Sequence, residues 1–183
     1  MSHYGIIVFS NKANDLSFDE LLYPYDEEKL SCYTFHPKPY EEIEKEFESF
    51  HKQNSTWTFD MYMKNFRYKK HKGKWGLWYN DNAKYDYYSL DGCAWLEEDL
   101  IPDGTLPDNK YYRYRKSQIK LKSDDDVPIA FVTPDGVWHS AGTVGWFAAC
   151  DDTKESWESH IKEFKEFLAA PGDEYVSFVD CHI

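Results

Sequence analysis

The stretch TPDGVWHS, residues 133–140, constrains the fold more than any other part of the chain. Pro134 presets φ, Asp135 can bond its own turn and Gly136 is free to take positive φ, so the chain reverses there. Two short runs, 128–133 and 137–140, flank the turn, and the combination predicts a β-hairpin. Strand patterns also stand near both ends of the sequence. YGIIVF at 4–9 is a continuous apolar run closed by Ser-Asn. YVSFVDCHI at 175–183 places Tyr175, Ser177, Val179 and Cys181 on one face, because strand side chains alternate.

Helical spacing recurs between these strands. Tyr40, Ile43, Phe47 and Phe50 follow the two prolines of HPKP, with acids between them and in the first turn, where they suit the helix dipole. Residues 55–66 predict a second helix, capped by Ser55 or Thr56, with Phe59, Met63 and Phe66 on one side. Residues 17–22 form a shorter candidate. Asp152 and Glu155 have capping-box spacing before a long helix whose buried face is Trp157, Ile161, Phe164 and Leu168. Residues 97–110, rich in Pro, Asp and Gly, read as a loop. The stretch KWGLWYNDNAKYDYYSL, 74–90, reads as a second hairpin turning at Asn80-Asp81-Asn82. Strands and helices do not alternate regularly, and several connections are hairpins. The expected fold is therefore α+β, a mostly antiparallel sheet with hairpins and helices packed on one face. A length of 183 residues without linker or repeat suits a single domain over 1–183, or one domain with an elaborate insertion.

Charge narrows the function. The net charge is −12, which disfavours nonspecific binding to nucleic acid or membrane. The bases are concentrated, however. Segments 64–84 and 110–122 hold thirteen of the twenty-one Lys and Arg, leaving eight against thirty-two acids elsewhere. The first segment coincides with an aromatic concentration in a chain that is 19% Phe, Trp and Tyr. Aromatic faces stack on nucleobases whatever their identity, and Lys and Arg neutralise phosphates. Lys74, Trp75, Trp78, Tyr79, Lys84, Tyr85, Tyr87, Arg113 and Arg115 are thus the candidate ligand-binding residues. Alternation assigns some of these rings to the core. At the opposite pole, Asp26 to Glu28, the acids of 41–48 and Glu97 to Asp99 form a possible phosphate mimic.

A catalytic alternative rests on His139, Asp180, Cys181 and His182. If the 133–140 hairpin pairs with the last strand, Asp180 and His182 share a face and can meet His139 as metal ligands or as a base with its orienting carboxylate. Cys181 with His139 is a conceivable nucleophile pair. No metal-spaced set, nucleophile elbow or phosphate-binding glycine loop occurs, so no cofactor and no metal are expected, and Gly142 and Gly145 read as strand bends. Cys32, Cys93, Cys150 and Cys181 are scattered without a CxxC pair, as in a protein with reduced thiols. The first residues do not read as a signal peptide and no apolar stretch is long enough for a bilayer, so a cytoplasmic location is expected.

YDYYSLDGCAW at 85–95, TPDGVWHSAGTVGWF at 133–147 and the final VDCHI together resemble a loose family of uncharacterised proteins of bacteriophages and mobile elements. Its members pair a W-D-W-Y-S-x-G-G-R-W stretch with a TPDG-x-W-H hairpin and a C-terminal V-D-C-H. The likeness covers roughly 75–183. Tyrosines here replace the tryptophans, Asp91 stands at the first glycine, and Cys93-Ala94 interrupts Gly-Arg-Trp. The resemblance implies a phage or mobile-element origin and a host bacterial cytosol, but no activity. The combined expectation is a noncatalytic binding protein that antagonises host defence, by capturing a defence protein or an anionic nucleotide or RNA on the aromatic-basic surface. An acidic nucleic-acid mimic and a small His/Asp-dependent hydrolase are the alternatives.

Overall fold

A computed structural model describes residues 2–108, 110–143 and 150–183. The 144–147 end of the TPDGVWHSAGTVGWF stretch, with Gly145, lies outside the described residues. The chain forms two compact units, a main unit of Met1–Asp26 with Ala83–Ile183 and an inserted unit of Glu27–Asn82.

In the main unit, β1 (His3–Ser10) and β9 (Tyr175–His182) pair antiparallel along their whole length, His3 opposite His182 and Ser10 opposite Tyr175. β7 (Ala130–Val132) joins the other edge of β1 in parallel, and β8 (Trp138–Ser140) completes the predicted hairpin with it. Gly136 takes φ +82° in that turn and donates its N–H to Thr133 O at 2.8 Å. β5 (Tyr87–Ser89) and β6 (Tyr114–Arg115) both lie against the outer edge of β9, at opposite ends. The strand order is β5–β9–β1–β7–β8, mostly antiparallel, so the fold is α+β.

β1 and β9 are apolar on both sides because both faces are covered. On one, Ile7, Phe9, Phe131, Val176 and Phe178 pack against Leu96 and Leu100 of α4 (Ala94–Leu100) and Phe164 of α5 (Lys154–Ala169). On the other, Ile6, Val8, Ala130, Val132, Val179 and Cys181 meet Phe18 and Leu22 of α1 (Asp15–Leu22). Helices thus lie on both faces rather than one. α4 occupies the start of the segment read as loop, because Leu96 and Leu100, four residues apart, supply a buried stripe that the flanking acids obscure. α5 starts one residue later than its sequence signal. Thr153 is the cap, its Oγ1 accepting from Ser156 N at 3.1 Å while Ser156 Oγ accepts from Thr153 N at 2.8 Å.

The inserted unit is a three-stranded antiparallel sheet under two helices. β2 (Thr34–Pro37), β4 (Lys74–Tyr79) and β3 (Lys69–His71) lie in that order. α2 (Tyr40–His51) and α3 (Phe59–Asn65) bring Ile43, Tyr62 and Met63 onto Trp75 and Leu77. The cap of α3 is Thr58, whose hydroxyl accepts from Met61 N at 3.2 Å, not Ser55 or Thr56. The hairpin expected over 74–90 does not form. β4 turns back on β3 through Lys72 and Gly73, both at positive φ, whereas β5 pairs with β9 in the main unit. Both halves have strand propensity, but β4 takes the tighter turn at Lys72-Gly73, and its second partner β2 and the β9 partner of β5 are distant in sequence, which local alternation cannot encode.

Candidate functional site

Alternation along β4 sorts the aromatic residues of the inserted unit onto two faces. Trp75 and Leu77 face the helices. On the other face, Trp78 stands opposite Phe35 of β2, and His71 opposite Lys74. Phe35, His71 and Trp78 form a cluster, with ring centroids 5.1 Å apart for Phe35 and His71, 5.0 Å for His71 and Trp78, and 5.3 Å for Phe35 and Trp78. Gly76 makes room for it. A Cβ there would collide with His36 O and lie 2.8 Å from the Phe35 ring.

Beside this cluster, Leu30, Tyr33, Arg67, Lys69 and Trp78 line an open cavity of about 470 Å³. Trp78 is 38% exposed, and Lys69, Arg67 and Lys74 are exposed. Among the described residues none of those three cations is in a salt bridge. Lys38, by contrast, is bound to Glu46, and Tyr68 donates to that carboxylate at 2.9 Å, which lowers the Glu46 pKa. A second cavity of about 510 Å³ is lined by Lys38, Tyr40, Lys74 and Trp75 with Pro37 and Glu41 among its walls. The open face therefore combines flat rings, cations without acid partners and a recess. Those are the elements that hold a nucleobase and its phosphate.

The predicted ligand residues divide between the units. Lys74 and Trp78 are on the open face, Trp75 is turned to the helices, and Tyr79 stacks on His36 with centroids 3.8 Å apart. Lys84, Tyr85, Tyr87, Arg113 and Arg115 belong to the main unit. Tyr85 is buried and its hydroxyl donates to Leu22 O at 2.7 Å. Tyr87 is exposed, edge-on to His182.

Arg113 is not a surface residue. It is 1% exposed and its guanidinium is spent inside the fold, on Asp15 at 2.6 Å, Asp91, Ser177 Oγ at 3.2 Å and the Phe18 ring. Arg115 lies on the Tyr175 ring, is paired with Asp108 and donates to Asp173 O at 2.8 Å. Three of the six cations of 110–122, Arg113, Arg115 and Lys116, are thus ion-pair partners within the main unit. Sequence reasoning misses Arg67 and Lys69, although they stand in the other basic segment; with 74–90 read as a hairpin, the pairing of Lys69, in β3 just after Arg67, with Gly76 of β4 is not visible. The acids are also separated. Asp26 is buried, Glu41, Glu42, Glu44 and Glu48 are exposed on α2, and Glu97 accepts from Tyr114 OH at 2.9 Å in the main unit.

The catalytic candidates do not assemble as expected. His139 stacks on Phe131, with centroids 4.6 Å apart, and bonds Glu163 at 2.9 Å. Three strand spacings, roughly 14 Å, separate β8 from β9. Cys181 faces the other side of the sheet, wholly buried, where burial raises its thiol pKa far from thiolate formation. Asp180 and His182 do share a face, and their companion is His3. Its ring nitrogen lies 3.0 Å from Asp180 Oδ2, and His182 Nε2 lies 3.4 Å from the same oxygen. The β1–β9 pairing is the signal that would have found it.

The chain matches no known family, no curated protein and no solved structure. What the fold and the two sites define is an α+β protein with a buried main sheet and a second sheet left open on one face. No helix among the described residues is long and apolar enough to cross a membrane.

Proposed function

We propose that the protein is a noncatalytic binding protein whose inserted unit takes an anionic nucleotide or a short single-stranded RNA on its open sheet face. The Phe35, His71 and Trp78 cluster carries this reading, because it stands beside Arg67, Lys69 and Lys74 rather than in a core. A base stacks on the rings and the phosphates meet the cations, each stacked base contributing about 1–3 kcal/mol. The role that accompanies this is antagonism of a bacterial defence system from within the host cytosol, by sequestering its nucleotide signal or the defence protein that uses it. The phage-type sequence resemblance is the support for that setting.

The test is a titration of labelled oligouridylate and of nucleoside mono- and diphosphates, followed by anisotropy and tryptophan quenching. Binding is expected to weaken about tenfold or more in Trp78→Ala, consistent with loss of one stacked base. Charge reversal at Arg67 and Lys69 should flatten the salt dependence as well as weaken binding, since each phosphate contact releases counterions. Absence of binding to all of these probes, or binding indifferent to both changes, overturns the proposal.

A further inference from the structure

We infer that His3, Asp180 and His182 form a site for a divalent transition-metal ion of the zinc type, independent of the sheet face in the inserted unit. The site is made by register. Ser2 and Ile183 exchange both backbone hydrogen bonds, Ser2 N to Ile183 O at 3.0 Å and Ile183 N to Ser2 O at 3.1 Å. His3 and His182, the next pair along, are therefore a non-hydrogen-bonded pair, the kind in which facing side chains approach most closely. Their ring centroids are 3.9 Å apart. Asp180, two residues from His182, lies on the same face by alternation and stands opposite Gly5, which contributes no side chain.

The donor set is two imidazole nitrogens and one carboxylate, and one ligand atom from each lies within 4.8 Å of the others. Ligands about 2.0–2.2 Å from a tetrahedral ion stand about 3.3–3.6 Å from one another. The separations of 3.0 and 3.4 Å from Asp180 Oδ2 to the two nitrogens already approach that spacing. Imidazole with carboxylate suits zinc, nickel or copper better than magnesium or calcium. Asp180 and His182 are mostly buried and the side chain of His3 is 47% exposed, so an ion enters past His3 onto two pre-placed ligands. Three protein ligands leave one coordination position for water or an anion. His139 and the buried Cys181 take no part.

The experiment uses tag-free protein stripped with a chelator, titrated with zinc against a chromophoric competitor and with cobalt for its visible absorption. One equivalent of zinc per chain and a tetrahedral cobalt spectrum are expected. His3→Ala and His182→Ala should each weaken binding by more than about 100-fold, beyond the 10–100-fold that loss of an outer partner costs, while His139→Ala leaves it unchanged. Because His182 lies in a central strand, the imidazole resonances of the unaltered protein supply a second readout. Those of His3 and His182 should shift together on adding zinc and those of His139 and His160 should not. No saturable zinc binding, or binding that survives His3→Ala with His182→Ala, overturns the assignment.

Discussion

In the main unit both faces of β1 and β9 are closed, by α4 and α5 on one side and α1 on the other; in the inserted unit β4 packs Trp75 and Leu77 under helices and leaves Trp78, with Phe35 and His71, uncovered. The charge differs in the same direction. Glu27–Asn82 carries ten Lys and Arg against nine Asp and Glu, whereas the main unit carries eleven against twenty-four. Three of its cations, Arg113, Arg115 and Lys116, are moreover held in ion pairs, Arg113 and Lys116 being buried. The lesson is that a basic segment signals a binding surface only where its charges are not already matched. The overall acidity belongs to the main unit and says nothing about the inserted one.

The largest expected effect tests the closed sheet. Phe178→Ala should destabilise the protein by about 3–5 kcal/mol in urea denaturation, as truncation of a fully buried phenylalanine does. Trp78→Ala should cost under about 1 kcal/mol while reducing ligand affinity, as a change away from a packed core does. A Trp78→Ala loss as large as that of Phe178→Ala would mean that the open face is a core face, and the contrast between the sheets would fail.

Next comes Arg113→Ala. Removing a buried guanidinium from Asp15 and Asp91 should cost about 3 kcal/mol, the lower end for a broken buried pair because both carboxylates reach solvent. Unchanged stability with lost ligand binding would return Arg113 to the binding surface. Gly76→Ala should cost about 1–3 kcal/mol and lower ligand affinity as well, because the new methyl displaces Phe35 and the His36 carbonyl. Normal affinity in the Gly76→Ala variant would detach the ring cluster from recognition.

The smallest effect is a pH dependence confined to the closed sheet. His160 is buried beside Phe131, with its Nε2 2.8 Å from Pro128 O, and burial lowers its pKa. The folded state then resists a proton that the unfolded chain accepts near about pH 6.5. Stability is fully present above that pH and declines as the pH falls below it. Urea midpoints between about pH 7.5 and 5 should show this slope, and His160→Gln should reduce it. An identical slope in the variant would refute it.

The parts of the fold readable from sequence are those specified by near neighbours. The PDG turn, the apolar run of β1, the stripe Tyr40, Ile43, Phe47 and Phe50, and the alternation of β9 each encode their own geometry locally. What escapes is pairing at a distance. KWGLWY and YDYYS look like one hairpin because the NDN triplet between them is good turn chemistry, yet Trp78 pairs with Phe35 and Tyr87 with His182. The same limit hides His3, whose relation to Asp180 spans 177 residues, and makes Arg113 look like a surface charge when its partners, Asp15 and Asp91, lie far from it in the chain.

The β1–β9 ladder also sets a timetable for synthesis. β9 is the central partner of β1, β5 and β6, so the main sheet cannot close until residues 175–182 have left the ribosome. The inserted unit is contiguous and complete once residue 82 has emerged. At about 5–20 residues per second the intervening hundred residues take roughly 5–20 s. Throughout that delay the apolar β1 segment waits without its central strand partner, the interval in which a segment of this kind is exposed to aggregation, whereas every strand and helix of the inserted unit has already been made.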